Sequence, residues 1–290
     1  MRTQIKRAKS EIGKQVTVEG FVEVVRSHGA IIFVTLRDIS GRIQIVANKS
    51  VIPDSLTVES VIHVEGLVKE EKQAPDGVEI SAEKIEVLSL AKSPLPIPVY
   101  EKSGETEQSK RLDWRFLDLR KSKNALIFQA WTTMEKAFRD YCVSSGYIEI
   151  HSPKTLVTST ESGSELFEVK YFGKKAFLAQ SPQLYKQMAM ASGLEKVFEV
   201  GPVFRANPSF TSRHDTEFTM YDIEISYIKS HEDLMAEEEK MIVAIFSAIK
   251  EKHGKEIKEQ FGQEIVIPQI PFPRLTLKEA KSILKDLNIP

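Results

Sequence analysis

The sequence has one cysteine, Cys142, among its 290 residues, and it has no long apolar run. A single cysteine excludes an internal disulfide framework and a cysteine-built zinc site. A membrane-spanning helix needs about 20 consecutive apolar residues, so we expect no such helix. The basic N-terminus, MRTQIKRAKS, has no apolar segment after it, so we expect no secretory signal. Together these absences predict a protein of the reducing cytoplasm, with Cys142 as a buried structural thiol.

The sequence also lacks an excess of either charge, because 40 Lys and Arg residues are balanced by 41 Asp and Glu residues. A nucleic-acid-binding protein with this balance must concentrate its positive charge in one region. Residues 1–50 contain nine basic and four acidic side chains, whereas residues 51–92 have the opposite bias. This asymmetry predicts one basic face in the N-terminal region, which would favour a phosphate backbone.

The N-terminal region carries short strand-like runs separated by turn signals. The five runs are QVTVEGFVEVVR, AIIFVTLRD, RIQIVAN, VIHVEGLVKE and VEISAEKIEVLS. Five short strands in about ninety residues predict a small barrel of the oligonucleotide-binding type. On such a barrel an exposed Phe33 would stack a base and Gln44 would read its edge. The alternative, which spacing alone favours, is that Phe33 lies in the barrel core.

A proline-rich connector, Ser93-Pro94-Leu95-Pro96-Ile97-Pro98, follows the fifth run. Such a stretch is stiff and extended, so it indicates a domain boundary. We therefore divide the chain into a barrel domain at residues 1–98, a hinge at residues 99–120 and a second domain at residues 121–290.

The second domain begins with apolar residues at helical spacing, such as Ile127, Trp131 and Phe138, and Gly146 is a natural helix end. The strand YIEIHSP follows this helix and ends at Pro153. The helix can pack on the sheet of its own domain, contribute to an interface between subunits, or do both.

A small, polar, glycine-bearing loop at residues 158–165 precedes the strand AFLAQSP, and a helix begins just after Pro182. Gln183 and Lys186 lie three residues apart, so they occupy neighbouring positions on one face of that helix. The alternative for Lys186 is an ordinary solvated lysine.

Two further strands, VFEVGPVFR and FTMYDIEISY, are joined by the polar loop ANPSFTSRHDTE. Successive side chains of a strand point to opposite faces. One face of the second strand is therefore predicted to pack a core, and the other to present an aromatic ring and two carboxylates. The predicted core face carries Thr219, Tyr221, Ile223, Ile225 and Tyr227, and the other carries Phe218, Met220, Asp222, Glu224 and Ser226.

Three cationic or titratable side chains, Arg205, Arg213 and His214, fall in or beside the loop that joins these strands. Cations that face Asp222 and Glu224 across a hairpin suit a substrate with both phosphate and amine groups. The alternative is a solvated hairpin face. For any one residue that alternative is favoured, but the density of charge beside apolar strands favours a site for the set.

The segments Phe204-Arg205-Ala206, Thr211-x-Arg213-His214 and Glu217-Phe218 resemble motif 2 of the class II aminoacyl-tRNA synthetases, in the subclass of the aspartyl, asparaginyl and lysyl enzymes. The helix, strand and proline that end at Pro153 resemble motif 1, and FVTLRD…GRIQIV resembles the anticodon-binding barrel. The resemblance implies an α+β multidomain fold, in which an OB-fold barrel precedes a partial antiparallel-sheet catalytic core with flanking helices. It also implies a homodimer through motif 1, in the region of Tyr147 to Pro153.

The segments ESGSELF and QSPQLYKQ look like those of the aspartyl members. The resemblance implies that Glu161 lies on a loop that closes over the amino acid. A lysine aimed at the side-chain carboxylate would favour L-aspartate, because the amide of asparagine cannot form that ion pair. The implied aspartate-binding residues are Glu161, Gln183, Lys186, Arg205, Asp222 and Glu224.

The resemblance implies that aspartate attacks the α-phosphate of ATP and that tRNA(Asp) then takes the aspartyl group. The first step depends on positioning and charge neutralisation, with Mg²⁺ bridging the phosphates and no metal ligand implied within this chain. Asn207 departs from the family's usual glutamate, which contacts adenine, so we expect weaker binding there. The implied ATP-binding residues are Arg205, Asn207, Arg213, His214, Asp215 and Phe218.

On the barrel, the resemblance implies that Phe33 stacks an anticodon base, that Gln44 hydrogen-bonds it, and that Arg26 and His28 lie beside the anticodon in a loop. The anticodons for aspartate and asparagine differ at one pyrimidine. A histidine can donate to or accept from either pyrimidine according to its tautomer. The histidine-bearing loop also resembles that of aspartyl members that accept both tRNAs, so we expect tRNA(Asn) to be accepted together with tRNA(Asp). The alternative is that His28 only faces solvent.

The sequence ends before any stretch that resembles motif 3, whose arginine contacts the γ-phosphate, and before the acidic magnesium ligands. We therefore expect an N-terminal portion of an aspartyl-type synthetase that does not form adenylate alone. Robust aspartate-dependent pyrophosphate exchange by this chain would contradict that expectation. The alternatives are a catalytically inactive tRNA-binding paralogue or fragment, and asparaginyl or lysyl specificity.

Overall fold

The computed structural model describes residues 2–53, 55–99, 106–160, 165–208, 211, 214–287 and 289. They form two compact units, one with the described residues up to Pro98 together with residues 106–114, and one with Val99 and the described residues from Arg115 onward. The hinge proposed for residues 99–120 stays a prediction. In the part of the chain that the structure describes, no helix is both long and apolar enough to cross a membrane.

The first unit contains a closed five-stranded barrel with the strand order β1-β2-β3-β5-β4. Alternate residues of each strand are apolar and point inward, so Val18, Val34, Ile45, Val64 and Ile80 are fully buried in one core. The five predicted strands and the barrel are thereby confirmed. The strands are Gln15–His28 (β1), Ile31–Asp38 (β2), Gly41–Asn48 (β3), Val61–Glu70 (β4) and Val78–Ser89 (β5), and the helices of this unit are Ile5–Ala8 (α1) and Gln108–Asp113 (α2).

The second unit contains two three-stranded sheets, β11-β10-β6 and β7-β9-β8. Their strands are Ile148–Glu149 (β6), Thr155–Leu156 (β7), Glu168–Tyr171 (β8), Lys174–Leu178 (β9), Lys196–Phe204 (β10) and Glu217–Ile225 (β11). The helices are Arg115–Asp118 (α3), Ser122–Ser144 (α4), Gln183–Ala191 (α5), His231–Phe261 (α6) and Leu277–Asp286 (α7). The α+β architecture expected from the sequence is confirmed.

One face of the β10–β11 pair packs against α4 and α6. Phe138 is the centre of this core, because its ring lies edge-on to the rings of Phe198 (5.7 Å between centroids) and Tyr221 (5.1 Å). Cys142 is fully buried beside them, and burial raises the pKa of its thiol to about 12. The prediction of a buried structural thiol is therefore confirmed.

The buried side of α4 differs in part from the predicted side. Trp131 is 54% exposed, whereas Leu126 and Thr133 are buried. The reason is contact with α6, where the Thr133 hydroxyl hydrogen-bonds the ring of His253 over 2.8 Å. Trp131, in contrast, remains largely exposed.

The strand predicted at YIEIHSP is much shorter than expected. Only Ile148 and Glu149 form β6, which pairs in parallel with Val197 and Phe198 of β10. The chain then leaves the sheet, and the Ser152 N–H donates to a carboxylate of β10.

Candidate functional site

The polar face of the second unit lies on the β10–β11 pair, on the side opposite α4 and α6. The antiparallel register places Glu199 opposite Asp222, Val197 opposite Glu224 and Val203 opposite Phe218. Directly opposed residues share a face, so three carboxylates and an aromatic ring line one surface, which we call the polar face. The predicted alternation is confirmed by this register and by the packing of Tyr221, Ile223 and Ile225 on the other side.

Thr219 and Tyr227 are exceptions to the predicted core packing. Thr219 lies on the core side of β11 but is exposed, because it is near the start of the strand. β11 ends at Ile225, and Tyr227 lies beyond it as an exposed residue with φ of +59°. Its predicted place on the core face is wrong, because the strand geometry that alternates side chains no longer applies there.

Lys186 of α5 extends over the polar face and is 3% exposed. Its Nζ donates to Asp222 Oδ1 over 2.6 Å and to the Ile223 carbonyl over 3.2 Å, and it lies 3.0 Å from Glu224 Oε2. Gln183, one helical turn earlier, donates from Nε2 to the same Glu224 oxygen over 3.5 Å. The alternative of a solvated lysine is wrong, since Lys186 is a buried cation held by two carboxylates.

A second lysine–carboxylate pair on the polar face was missed by the sequence reasoning. Lys154 Nζ lies 2.7 Å from Glu199 Oε1, which also accepts from the Ser152 N–H over 3.1 Å. Gly201 leaves space for this pair, because a Cβ there would lie 3.2 Å from Glu199 Oε1 and 3.3 Å from Lys154 Nζ. The twofold period of β10 places Glu199 on the face of Asp222, and that signal was available in the sequence.

Arg205 follows β10 at the end of the polar face. Its N–H donates to the Thr216 carbonyl over 2.9 Å, which continues the ladder one step beyond the strands. Its guanidinium lies 5.5 Å from the centroid of the Phe218 ring, a cation–π geometry. A permanent positive charge and a flat apolar ring therefore lie side by side at one end of the polar face.

The loop after Arg205 is described only in part. Asn207 is half-buried, and His214 and Asp215 are exposed. The Nδ1 atom of His214 lies 2.5 Å from the Thr211 hydroxyl. Glu161 and Arg213, two further predicted site residues, lie outside the described residues.

On the barrel, the predicted nucleic-acid residues share the outer surface of β1, β2 and β3. Phe33 lies between the buried residues Ile32 and Val34 on the strand, so its side chain points away from the core. Its position in the barrel core, which spacing alone favoured, is wrong. Arg26 is its direct partner across the sheet, in β1.

Two details of the barrel surface differ from expectation. Arg26 and His28 are strand residues of β1, because the strand continues to His28 and pairs there with Ile31. The prediction of a loop at this point is wrong. Gln44 is mostly buried, and its Nε2 donates to Glu79 Oε2 over 2.9 Å, so one edge of its amide is held by the barrel.

In the part of the chain that the structure describes, metal-binding groups and cavities do not indicate another site that contains the predicted residues. Among the described residues, no group of three or more His, Cys, Asp or Glu side chains is placed to hold a metal ion. A cavity of about 600 Å³ lies between the start of α6 and residues 272–276, beside Arg274 and Glu239. None of the predicted site residues lines it, so the polar face remains the candidate site.

A family model described as tRNA synthetases class II (D, K and N) matches residues 107–290, and one described as an OB-fold nucleic acid binding domain matches residues 16–88. The chain therefore belongs to the class II aminoacyl-tRNA synthetases of the D, K and N group.

Two individual relatives are similar to this chain over almost all of its length. The aspartate–tRNA(Asp) ligase of Pyrococcus abyssi is 44% identical over 283 residues, covering 95% of this chain and 64% of that protein. The aspartate–tRNA(Asp/Asn) ligase of Methanopyrus kandleri is 41% identical over 284 residues, covering 96% of this chain and 65% of that protein. The chain thus spans slightly less than two thirds of these relatives.

Among solved structures, asparaginyl-tRNA synthetase from Pyrococcus horikoshii complexed with asparaginyl-adenylate is similar to this chain with a TM-score of 0.89 and 32% identity. The match covers 100% of this chain and 68% of that chain. The structural likeness extends to an asparaginyl member, so fold alone does not distinguish the two amino acids.

Proposed function

We propose that this chain is the N-terminal part of an aspartate–tRNA ligase, which activates L-aspartate with ATP and transfers it to tRNA. The observation that carries this proposal is Lys186, a buried cation on the polar face between Asp222 and Glu224. The names of the relatives at 44% and 41% identity support the same amino acid.

In this proposal Lys186 selects the amino acid. An ammonium has three N–H donors, and Asp222 and the Ile223 carbonyl accept two hydrogen bonds. A substrate carboxylate would join this set, whereas an uncharged amide would gain no ion pair. Asp222 and Glu224 would attract the ammonium group of the amino acid. Gln183, which already contacts Glu224, would orient it, and Glu161 would close over it.

For the nucleotide, we assign the α-phosphate to Arg205 and the adenine ring to Phe218, whose side chains lie side by side. Asn207, Arg213, His214 and Asp215 would contact the rest of ATP. Mg²⁺ would neutralise phosphate charge when bound. The carboxylates of the polar face are already paired with lysines, so we assign no step to a metal held by them.

For the tRNA, we assign the anticodon to the outer surface of the barrel. Phe33 supplies an aromatic ring beside the cationic Arg26, a combination that stacks bases and neutralises phosphates. His28, exposed at the end of β1, would tolerate either pyrimidine, so we propose that both tRNA(Asp) and tRNA(Asn) are bound. Affinities for the two tRNAs that differ by less than about tenfold would support this.

We further propose a cytoplasmic homodimer that associates through the region of Tyr147 to Pro153. Ile148 is exposed there, and the exposed rings of Phe128 and Trp131 lie on α4, which precedes it. Such apolar surface favours a protein partner. Sedimentation equilibrium of the chain and of Ile148→Asp tests this, because a monomeric unaltered chain would contradict it.

Binding of a non-hydrolysable aspartyl-adenylate analogue, measured by titration calorimetry, tests the proposed function. The chain should bind the analogue, and Arg205→Ala and Phe218→Ala should each weaken binding by about tenfold or more. Glu264→Gln, an exposed change on the segment after α6, is the control. A folded chain that binds the analogue no better than adenosine would contradict the proposal and favour a tRNA-binding paralogue.

A further inference from the structure

The tip of the β8–β9 hairpin carries two exposed aromatic rings among lysines. Tyr171 is 52% exposed and Phe172 is 91% exposed, and their rings lie edge-to-face with centroids 4.8 Å apart. Lys170, Lys174 and Lys175 flank them. We call the six residues Lys170–Lys175 the aromatic–lysine tip.

The backbone of this tip holds Phe172 at a positive φ, which is unfavourable for a bulky residue. Phe172 has φ of +46° and the next residue, Gly173, has φ of +76°. A two-residue hairpin turn of this kind favours Asn-Gly, and a bulky residue at positive φ is an outlier. Apart from the edge-to-face contact with Tyr171, an exposed apolar ring in an unfavourable backbone conformation adds little to the fold, so it points to a binding role.

The charges of the tip specify an anionic partner. Lys170 lies directly opposite Lys175, and like charges so placed destabilise a hairpin. Lys175 is compensated by Glu168, whose Oε2 lies 3.1 Å from its Nζ. Lys174 lies opposite Tyr171, on the other face. Positive charge thus flanks the rings on both faces, which suits a strand of phosphates with bases stacked on the rings.

We propose that the aromatic–lysine tip binds the single-stranded 3′ end of a tRNA, an inference that rests on the proposed function. β9 runs from the tip to Leu178, and the chain continues through Gln180 and Ser181 into α5, which carries Lys186. At the rise of a strand, the six steps from Gly173 to Ala179 span about 20 Å. The tip therefore lies at a distance from the polar face that a few single-stranded nucleotides can cover.

Equilibrium binding of a tRNA(Asp) transcript to the whole chain tests this, with a second transcript that lacks the single-stranded 3′ end. The unaltered chain should bind the full transcript about fivefold or more tightly than the shortened one. Phe172→Asn removes the ring and relieves the turn, so it should melt no lower than the unaltered chain. The Phe172→Asn variant should bind the full transcript about fivefold more weakly than the unaltered chain does. Its affinity for the shortened transcript should be unchanged.

Two controls separate the tip from the barrel. Phe33→Ala should weaken the binding of both transcripts by the same factor, because both carry the anticodon that is assigned to the barrel. The slope of the logarithm of the binding constant against the logarithm of salt concentration should become shallower when Lys170 and Lys174 are both changed to Gln, by about 0.7 per lost phosphate contact. Lys252→Gln on α6 should leave that slope unchanged.

The outcomes are distinct. If the unaltered chain and Phe33→Ala behave as stated but Phe172→Asn binds both transcripts normally, the tip does not bind RNA and this inference is wrong. If the unaltered chain binds neither transcript, both this inference and the proposed tRNA substrate are wrong.

Discussion

Replacing Lys186 with methionine removes the one ammonium that joins α5 to the two carboxylates of β11. Breaking a buried ion pair by removing one partner costs about 3–5 kcal/mol. The side chains of Asp222 and Glu224 are 20% and 26% exposed, so water compensates them in part. We therefore expect Lys186→Met to lower the free energy of unfolding by about 1–3 kcal/mol.

The same change should affect ligands unequally. A charge-assisted hydrogen bond to the aspartate side chain is worth about 1.5–3 kcal/mol, which corresponds to a loss of about 10- to 150-fold in affinity. Affinity for ATP should stay within about twofold, because Arg205 and Phe218 are untouched. Titration calorimetry with an aspartyl-adenylate analogue and with ATP measures both effects.

A double variant separates stability from recognition. Adding Asp222→Asn to Lys186→Met removes one uncompensated carboxylate, so part of the stability should return while aspartate affinity stays low. Lys252→Met, on an exposed position of α6, should change neither quantity. Unaltered aspartate affinity in Lys186→Met, or an equal loss of aspartate and ATP affinity, would refute the role given to this lysine.

Three further predictions concern the rest of the chain. The hydrogen bonds that the His63 ring donates to Glu19 and Glu65 raise the pKa of His63, so NMR titration should find it above about 6.5, and Glu19→Gln should lower it. Because the folded state has the higher pKa, this stabilisation is complete below the unfolded pKa and is lost as pH rises through the folded one. Cys142, with its pKa raised to about 12, should react with a thiol reagent at pH 8 only after unfolding, so rapid labelling of the native chain would contradict its burial. Phe198→Ala should cost about 3–5 kcal/mol of unfolding free energy by denaturant titration, and a loss well below that range would mean that the core is less tightly packed than described.

Much of the fold could be predicted because its signals are local. The barrel strands alternate apolar and polar residues, so their inward faces follow from the twofold period alone. Strands β10 and β11 could be predicted for the same reason. Pro182 indicated where α5 begins. The outward position of Phe33 could not be predicted in this way, because spacing alone favoured the core and the burial of Ile32 and Val34 is known only from the structure.

What the sequence did not reveal depends on contacts between distant segments. Lys154 meets Glu199 only because β6 and its extension lie beside β10, and no pattern near Lys154 indicates that pairing. The exposure of Trp131 depends on where α6 crosses α4, and helical period alone cannot give that position. The pairing of Lys186 with protein carboxylates likewise required the register of β11.

A comparison of how tightly this chain binds aspartyl- and asparaginyl-adenylate analogues tests most directly whether Lys186 selects the amino acid. If the buried ammonium of Lys186 recognises the substrate, the aspartyl analogue should bind at least about tenfold more tightly, a difference of about 1.4 kcal/mol. Equal affinities, or tighter binding of the asparaginyl analogue, would contradict the assignment of aspartate.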